Sequence, residues 1–456
     1  MIALRSPVLC AAIGLGALLG CSGADAADPW PEPRPIARET PAFQAPAEPP
    51  RKEAAREPVA TEPEGPLVLQ DALALALMRS PELAVFSWEV RAGEARALQA
   101  RKTSNPELDV RIYDLGIERQ GMRQDEARSR VVLGKVFELG GKRRRRAELA
   151  NAEAGLAGWD YEAKRIEVAG TVAGHFASVL GGQRRVASLE RFVARLDELT
   201  EEVAARVETG GMRSLELHQI KRQAGLARID LRRAEADLSV ARFRLAATWG
   251  AELPRFTEAV GDLEESTSIP DIATVIGLAR ESPAIARWDA ELARSEAALA
   301  LAKAGRVPDL NYGVGMRWED DASGRDYLVD LEIDLPIFDR KQGDVREARF
   351  DMARARAGRE AAQAASSEAI AELYYALTES AERRRTLGEE VLPAAQATYE
   401  ALRVGFENQA DYLGDLLDAR RDLARAEVQY TDALVDYHRA LAALEGFAGR
   451  SLAGDD

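Results

Sequence analysis

The chain repeats itself. Ser80-Pro81-Glu82-Leu83 returns as Ser282-Pro283-Ala284-Ile285, and Asn105-Pro106-Glu107-Leu108 as Val307-Pro308-Asp309-Leu310, each 202 positions later. Val136-Phe137-Glu138-Leu139 sits opposite Leu335-Pro336-Ile337-Phe338, and residues 210–219 opposite 409–418, at a separation of 199. Leu245-Ala246-Ala247 with Gly250 matches Leu441-Ala442-Ala443 with Gly446 at 196. A chance likeness between alanine-rich helices would not keep order and spacing through a whole unit, so the sequence is a tandem duplication. Its repeats span 67–265 and 266–447, with a short tail at 448–456.

Each half reads helix, strand, turn, strand, very long helix, turn, helix. The opening helices, about residues 69–103 and 271–304, end before Pro106 and Pro308, where proline blocks continuation. No proline occurs between Pro106 and Pro254, and residues 142–207 have the Ala/Arg/Glu/Leu composition of an uninterrupted helix. At 1.5 Å per residue that rod is on the order of 100 Å long, too long for a compact globule. The return helix, 214–249, is about half that length. Placed end to end with the next opening helix it matches the long one, and 345–404 with 412–444 repeats the pattern. The expected body is a tall slab of antiparallel helices.

The strands alternate. Leu310, Tyr312, Val314, Met316 and Trp318 interleave with Asn311, Gly313, Gly315 and Arg317; Tyr327, Val329, Leu331, Ile333 and Leu335 interleave with Leu328, Asp330, Glu332 and Asp334. In the first half Leu108, Val110 and Ile112 alternate with Asp109, Arg111 and Tyr113, and Val131, Leu133, Phe137 and Leu139 are the apolar positions of the partner strand. Strands of about ten residues with one apolar face, one charged face and aromatic ends fit a membrane barrel, lipid outside and water inside. Four strands cannot close a cylinder, and open sheet edges are not tolerated in hydrocarbon. Several copies must share one barrel. The carboxylates Asp330, Glu332 and Asp334 then line its lumen, where they attract cations; the alternative is a merely solvated strand face. Trp318 is expected at a membrane interface.

The first residues read as a secretory leader, 1–20, with Arg5 before an apolar run. Leu18-Leu19-Gly20-Cys21 resembles a bacterial lipoprotein cleavage box, making Cys21 the expected lipidation site; a cut between Ala24 and Ala27 is the alternative. The only other cysteine, Cys10, lies in the leader, so the mature chain has no internal disulfide. Residues 21–66 form a linker, and 28–66 hold eleven of the 20 prolines. That composition argues an extended spacer without a fold of its own.

The duplicated plan, the Ser-Pro near each repeat's start, Pro106 and Pro308 before the strands, Leu335-Pro336-Ile337-Phe338-Asp339 entering an Ala/Arg helix, and Asp415-Leu416-Leu417-Asp418-Ala419 after the later turn resemble the TolC family of outer-membrane efflux proteins. The resemblance runs from about residue 67 to 446. It implies a mainly α chain with a membrane β-barrel: long antiparallel helices forming a periplasmic α-helical barrel, and four strands per chain entering a 12-stranded barrel shared by a homotrimer. It also implies an outer-membrane location, passive conduction as the channel of an efflux or type I secretion assembly, and a tip that docks a periplasmic adaptor and an inner-membrane pump. The second half is more similar to the heavy-metal cation branch. In the family, acidic residues just after the later turn constrict the closed pore; by position these are Asp415 and Asp418, with Glu216 and Gln219 opposite them in the first repeat. The usual glycine of that turn is Gln409 here, a basic residue found in one member is Asp411, and the nearest cations in sequence are Arg213, Arg403 and Arg420.

Other functions find little support. A net charge of −15 argues against nucleic acid, which selects clustered Lys and Arg; the run Arg143 to Arg146 fits a solvated or headgroup-facing collar. HExxH, P-loop, GxSxG and Cys/His metal patterns are absent from the sequence, so neither an enzyme nor a cofactor is expected. His175, His218 and His438 fall in separate helices and read as packing or surface residues. Gly210-Gly211 reads as a helix-ending turn. The competing class is a non-conducting periplasmic lipoprotein using its hairpins as a coiled-coil scaffold, which would need no lipid-facing strands.

Overall fold

The structure, a computed structural model, describes residues 28–49, 61–113, 128–319, 325–407 and 413–452. Cys21 and the leader, part of the linker, both turns between paired strands, and Gln409 and Asp411 lie outside the described residues.

The first half begins with β1 (Pro66–Leu67), α1 (Leu69–Arg79) and α2 (Pro81–Ala100). The second begins after β4 (Glu258–Ala259) with α5 (Ile272–Ala279) and α6 (Pro283–Ala304). The single opening helices expected from sequence are thus each two. Ser80 and Ser282 precede proline and take ψ of 121° and 153°, because the proline ring clashes with an α-helical residue before it. Pro81 then opens α2 where its missing N–H costs nothing, and the Ser80 hydroxyl accepts from the Leu83 N–H at 3.4 Å. Strand β1 pairs in parallel with β4, Pro66 opposite Glu258, so the start of the first repeat is tied to the join between repeats.

From α2 the chain enters β2 (Glu107–Tyr113) and β3 (Arg128–Phe137), then α3 (Lys142–Glu208) and α4 (Ser214–Ala247). From α6 it enters β5 (Leu310–Glu319) and β6 (Arg325–Ile333), then α7 (Gln342–Thr386), a π-helical turn at Leu387–Val391, α8 (Leu392–Glu407) and α9 (Leu413–Ala448). Helix α3, at 67 residues, is the expected rod. The second long helix differs from expectation by its π turn. Pro393 stands second in α8 and has no N–H to return to the preceding turn, and the ladder absorbs the gap by widening. Gly388 lies in that turn under the Tyr430 ring, where a Cβ would come within 2.9 Å of it.

Helix α3 packs against α2 and α4, and also against α6 and α9; α7 packs against α6 and α9 but makes no substantial contact with α2 or α4. This is the expected slab, and its α2/α4 and α7 edges are unpaired within the chain. The four long strands form one antiparallel sheet in the order β2-β3-β5-β6, so the hairpins of the two halves meet at β3 and β5. Beyond Ile333 the Ile337 N–H donates to the Leu335 carbonyl at 2.8 Å; the chain turns there, and Asp334 lies just past the strand it was expected to belong to.

Residues 28–49 of the proline-rich segment form neither helix nor strand and turn once at 35–40, where the Arg38 and Thr40 N–H groups donate to the Pro35 and Ala37 carbonyls; they are seated on the body rather than standing apart from it as a spacer. Glu162 and Arg165, one turn apart on α3 and each 2% exposed, pair at 2.8 Å. Arg165 also donates to the carbonyls of Arg34, Ile36 and Ala37 at 2.9–3.2 Å, and Glu162 accepts from the Arg34 N–H at 2.7 Å. The Tyr161 hydroxyl donates to the Phe43 carbonyl at 2.9 Å, Trp30 meets the Tyr161 ring edge-on at 4.8 Å, and Ser87 accepts from the Ala45 N–H. A buried charge pair satisfied by backbone groups on every side is a receptor for this strap.

Candidate conducting path and gate

The register fixes which side chains share a face, because neighbours across an antiparallel sheet project to the same side. Val131 faces Met316, Leu133 faces Val314, and Val314 faces Val329. One side therefore carries Leu108, Val110, Ile112, Leu133, Phe137, Tyr312, Val314, Trp318, Tyr327, Val329, Leu331 and Ile333, all exposed by 36 to 82%. A contiguous apolar face of this extent is not stable in water, and it has the alternation of a lipid-facing barrel wall.

The other side holds Glu107, Asp109 and Arg111 on β2, Arg130 and Val132 on β3, Asn311 and Arg317 on β5, and Asp326, Asp330 and Glu332 on β6. Asp330 and Glu332 are thus brought together on the polar face. Asp330 is paired with Arg130, Arg317 with Asp326 at 2.9 Å, and Arg111 with Asp109 at 2.9 Å. Among the residues whose side chains are described, this face carries five carboxylates, Glu107, Asp109, Asp326, Asp330 and Glu332, against three guanidinium groups. Reading β6 alone missed the arginines, since only the β3–β5 register sets Arg130 beside Asp330. Val132, 5% exposed, fills the room over Gly313 and Gly315, where added Cβ atoms would meet it at 2.8 and 2.7 Å. Small residues on this face let the sheet curl toward it, as an inner barrel wall requires.

At the opposite end of α3 both helix hairpins meet. Phe192, Leu196, Val203 and Ile220 from the first pack with Phe406, Leu413, Leu416 and Leu417 from the second. Gly210, at φ 76°, ends α3; the N–H groups of Gly210 and Gly211 return to the carbonyls of Val207 and Arg206, so the expected helix-ending turn is present. Glu216 forms a capping box with Arg213, accepting from its N–H at 2.5 Å and from its guanidinium at 2.6 Å. That guanidinium holds the Glu216 carboxyl below the usual range, and the side chain, 9% exposed, is engaged within its own turn. Asp415 and Asp418 lie exposed in the first turns of α9, and Asp418 pairs with Arg421 at 2.7 Å. Arg403 binds Glu400 and Glu407. Arg420 is sandwiched between the Phe192 and Tyr399 rings at 5.4 and 5.1 Å. Among the described residues, no cation from the other hairpin pairs with Asp415 or Asp418.

Between these ends, a groove of about 1070 Å³ runs over the small-residue face of α3 at Gly170, Gly174 and Gly181, walled by α4 and α9. His175 lines it; its Nδ1 has no partner and burial lowers its pKa. His438 donates through Nε2 to the Leu263 carbonyl at 2.9 Å, in keeping with a packing role. Among the described residues there is no cluster that could hold a metal ion.

A family model described as outer membrane efflux protein matches residues 72–251 and 277–450. The cobalt-zinc-cadmium resistance protein CzcC of Cupriavidus metallidurans is 30% identical over 387 residues, 85% of this chain and 91% of that protein. The nickel-cobalt-cadmium resistance protein NccC of Alcaligenes xylosoxydans is 29% identical over 62% of this chain and 63% of its own length. Among solved structures, CusC matches with a TM-score of 0.72 at 16% identity, over 90% of this chain and 99% of that one. The open-state MtrE outer membrane channel of Neisseria gonorrhoeae matches with a TM-score of 0.71 at 19% identity, over 84% and 89%. These two likenesses are of fold: an α-helical barrel joined to a β-barrel.

Proposed function

The chain belongs to the outer membrane efflux protein family, and from that premise we propose that it is the exit duct of a heavy-metal cation efflux assembly. As an outer-membrane channel it conducts passively and performs no chemistry on its cargo. The observation that carries the reading is the two-faced sheet, whose exposed apolar side and ion-paired polar side suit lipid and water respectively, and whose open β2 and β6 edges call for further copies. Three chains would close 12 strands and bring each α7 edge against a neighbour's α2/α4 edge. A periplasmic adaptor and an inner-membrane pump complete the path at the tip, and acylation at Cys21 adds an anchor. The metal class rests on CzcC and NccC, the resistance proteins of similar sequence. The scaffold alternative has no use for the apolar face.

The lumen reading is tested in planar bilayers. An excess of carboxylates over arginines among the described residues of this face should give a reversal potential of cation-selective sign under a salt gradient. Glu332→Gln with Glu107→Gln should weaken it, leaving the Asp330–Arg130 pair intact. Anion selectivity in the parent would overturn the assignment of this face, and absence of conductance would favour the scaffold.

A further inference from the structure

All four long strands join helices at one end of the sheet, where Glu107 starts β2, Phe137 ends β3 opposite Leu310, and Leu310 lies opposite Ile333. Directly beyond β6, Leu335, Ile337 and Phe338 are 73, 59 and 89% exposed. They extend the lipid-facing band past the last strand residue, toward the depth at which a bilayer's headgroups begin.

Around the same turn stand Arg306, Arg340 and Lys341 together with Asp334, Asp339 and Asp344; Lys341 pairs with Asp339 and Asp344 at 3.6 Å each, which leaves the two guanidinium groups. Arg340 donates through Nε to the Ile337 carbonyl at 3.2 Å, and Arg306, just after α6, donates through Nε to the Arg340 carbonyl at 3.2 Å. Each exposed guanidinium is thus oriented by its Nε while its terminal nitrogens stay available. Among the described residues no carboxylate pairs with Arg306, Arg340 or the exposed Arg143 at the start of α3. Alongside, a crevice of about 560 Å³ between the start of α3 and the end of α6 is lined by Gly140, Arg145, Glu296, Leu299, Lys303 and Val307, apolar below and mostly basic at the rim.

We propose that this helix-side foot of the barrel binds anionic glycerophospholipid headgroups. Leu335, Ile337 and Phe338 enter the acyl boundary, and Arg306 and Arg340 meet the phosphate. The proposal rests on the membrane-barrel reading of the sheet. Charge complementarity and continuity with the apolar wall select a lipid over a soluble partner, because guanidinium groups favour phosphate oxygens and apolar side chains this exposed gain only in the interface.

Native mass spectrometry of the detergent-solubilised full-length oligomer, mixed with short-chain phosphatidylglycerol or phosphatidylcholine of the same acyl length, tests it. Phosphatidylglycerol adducts should exceed phosphatidylcholine adducts. Arg306→Ala with Arg340→Ala should remove that preference, about five-fold per arginine, while Phe338→Ser weakens both lipids alike. Equal binding of the two lipids by the parent would overturn the proposal, as would an unchanged preference in the double variant. So would displacement of phosphatidylglycerol by equimolar inorganic phosphate, which would indicate a site for a solute anion. If the double variant does not assemble, the parent decides: a lipid preference that persists undiminished when ionic strength is raised contradicts a guanidinium-headgroup contact. Bilayer conductance of the parent reports separately on the channel, so failure of the collar and failure of the barrel are distinguishable.

Discussion

Arg165 is the residue on which the amino-terminal strap depends, since one guanidinium joins three strap carbonyls to the Glu162 carboxylate in a site closed to water. Replacing it with alanine leaves Glu162 buried and unpaired, a loss of about 3 kcal/mol. Residues 34–43 should then become protease-sensitive in Arg165→Ala; a strap as resistant as the parent's would show that Trp30 and Tyr161 suffice to hold it. The proline count made legible that residues 28–49 form neither helix nor strand. It could not reveal the seat, because the receptor lies on α3 more than a hundred residues away. Glu216 shows the same limit at the tip: its position after the turn was visible, but not that Arg213 claims it. With its folded pKa below the ordinary 4.5, its contribution is present above that value and lost as pH falls through the lower folded value. Amide protection at 214–217, taken relative to the intrinsic exchange rate at each pH, should fall on acidification below about pH 4.5. Glu216→Gln should exchange fast already at neutral pH and lose this dependence.

At the scale of elements, helix lengths were readable because proline and composition decide them locally; α3 and the Pro106 and Pro308 boundaries needed nothing else. The breaks at Ser80-Pro81 and Ser282-Pro283 were equally present in sequence, as pre-proline signals overlooked inside an apolar pattern. Strand pairing was of another kind. Alternation gave each strand's two faces, whereas the β3–β5 contact that sets Arg130 beside Asp330 is a tertiary fact. Glycine placement tests that register. A Cβ on Gly315 would stand 2.3 Å from the Val131 carbonyl oxygen and 2.7 Å from the Val132 side chain, while one on Gly134 would meet nothing closer than 3.7 Å. Backbone oxygen cannot yield as a side-chain end can. Gly315→Ala should therefore reduce the yield of assembled oligomer on size-exclusion chromatography severalfold, roughly, with Gly134→Ala assembling like the parent. Equal assembly of both would mean that the sheet does not hold Val132 over Gly315.

For the whole molecule, the long helices put the strand end and the hairpin end on the order of 100 Å apart, so a closure at the tip must act without touching the barrel. The two hairpins are held together there by Phe192, Leu196, Phe406, Leu416 and Leu417, packing that alanine at two exposed positions leaves intact. Asp415 and Asp418 project from that packed end, and in a three-fold assembly they would recur three times around the axis. The arginines nearest in sequence are otherwise engaged, Arg213 with Glu216, Arg403 with Glu400 and Glu407, Arg420 between two rings, and Asp418 pairs with Arg421 on its own helix, so we propose that any constriction here comes from the carboxylates themselves and not from a salt bridge between the hairpins. The competing role is electrostatic support of the α9 N-terminus, worth about 0.3 to 1 kcal/mol at an exposed site. The two roles separate in conductance. Loss of helix support lowers stability slightly and leaves the pore as it was; loss of a constriction opens it. Asp415→Ala with Asp418→Ala should raise resting conductance severalfold, roughly, while the oligomer persists on size-exclusion chromatography. A double variant as closed as the parent would assign these carboxylates to the helix end, and the closure would then belong to the packed apolar cluster behind them.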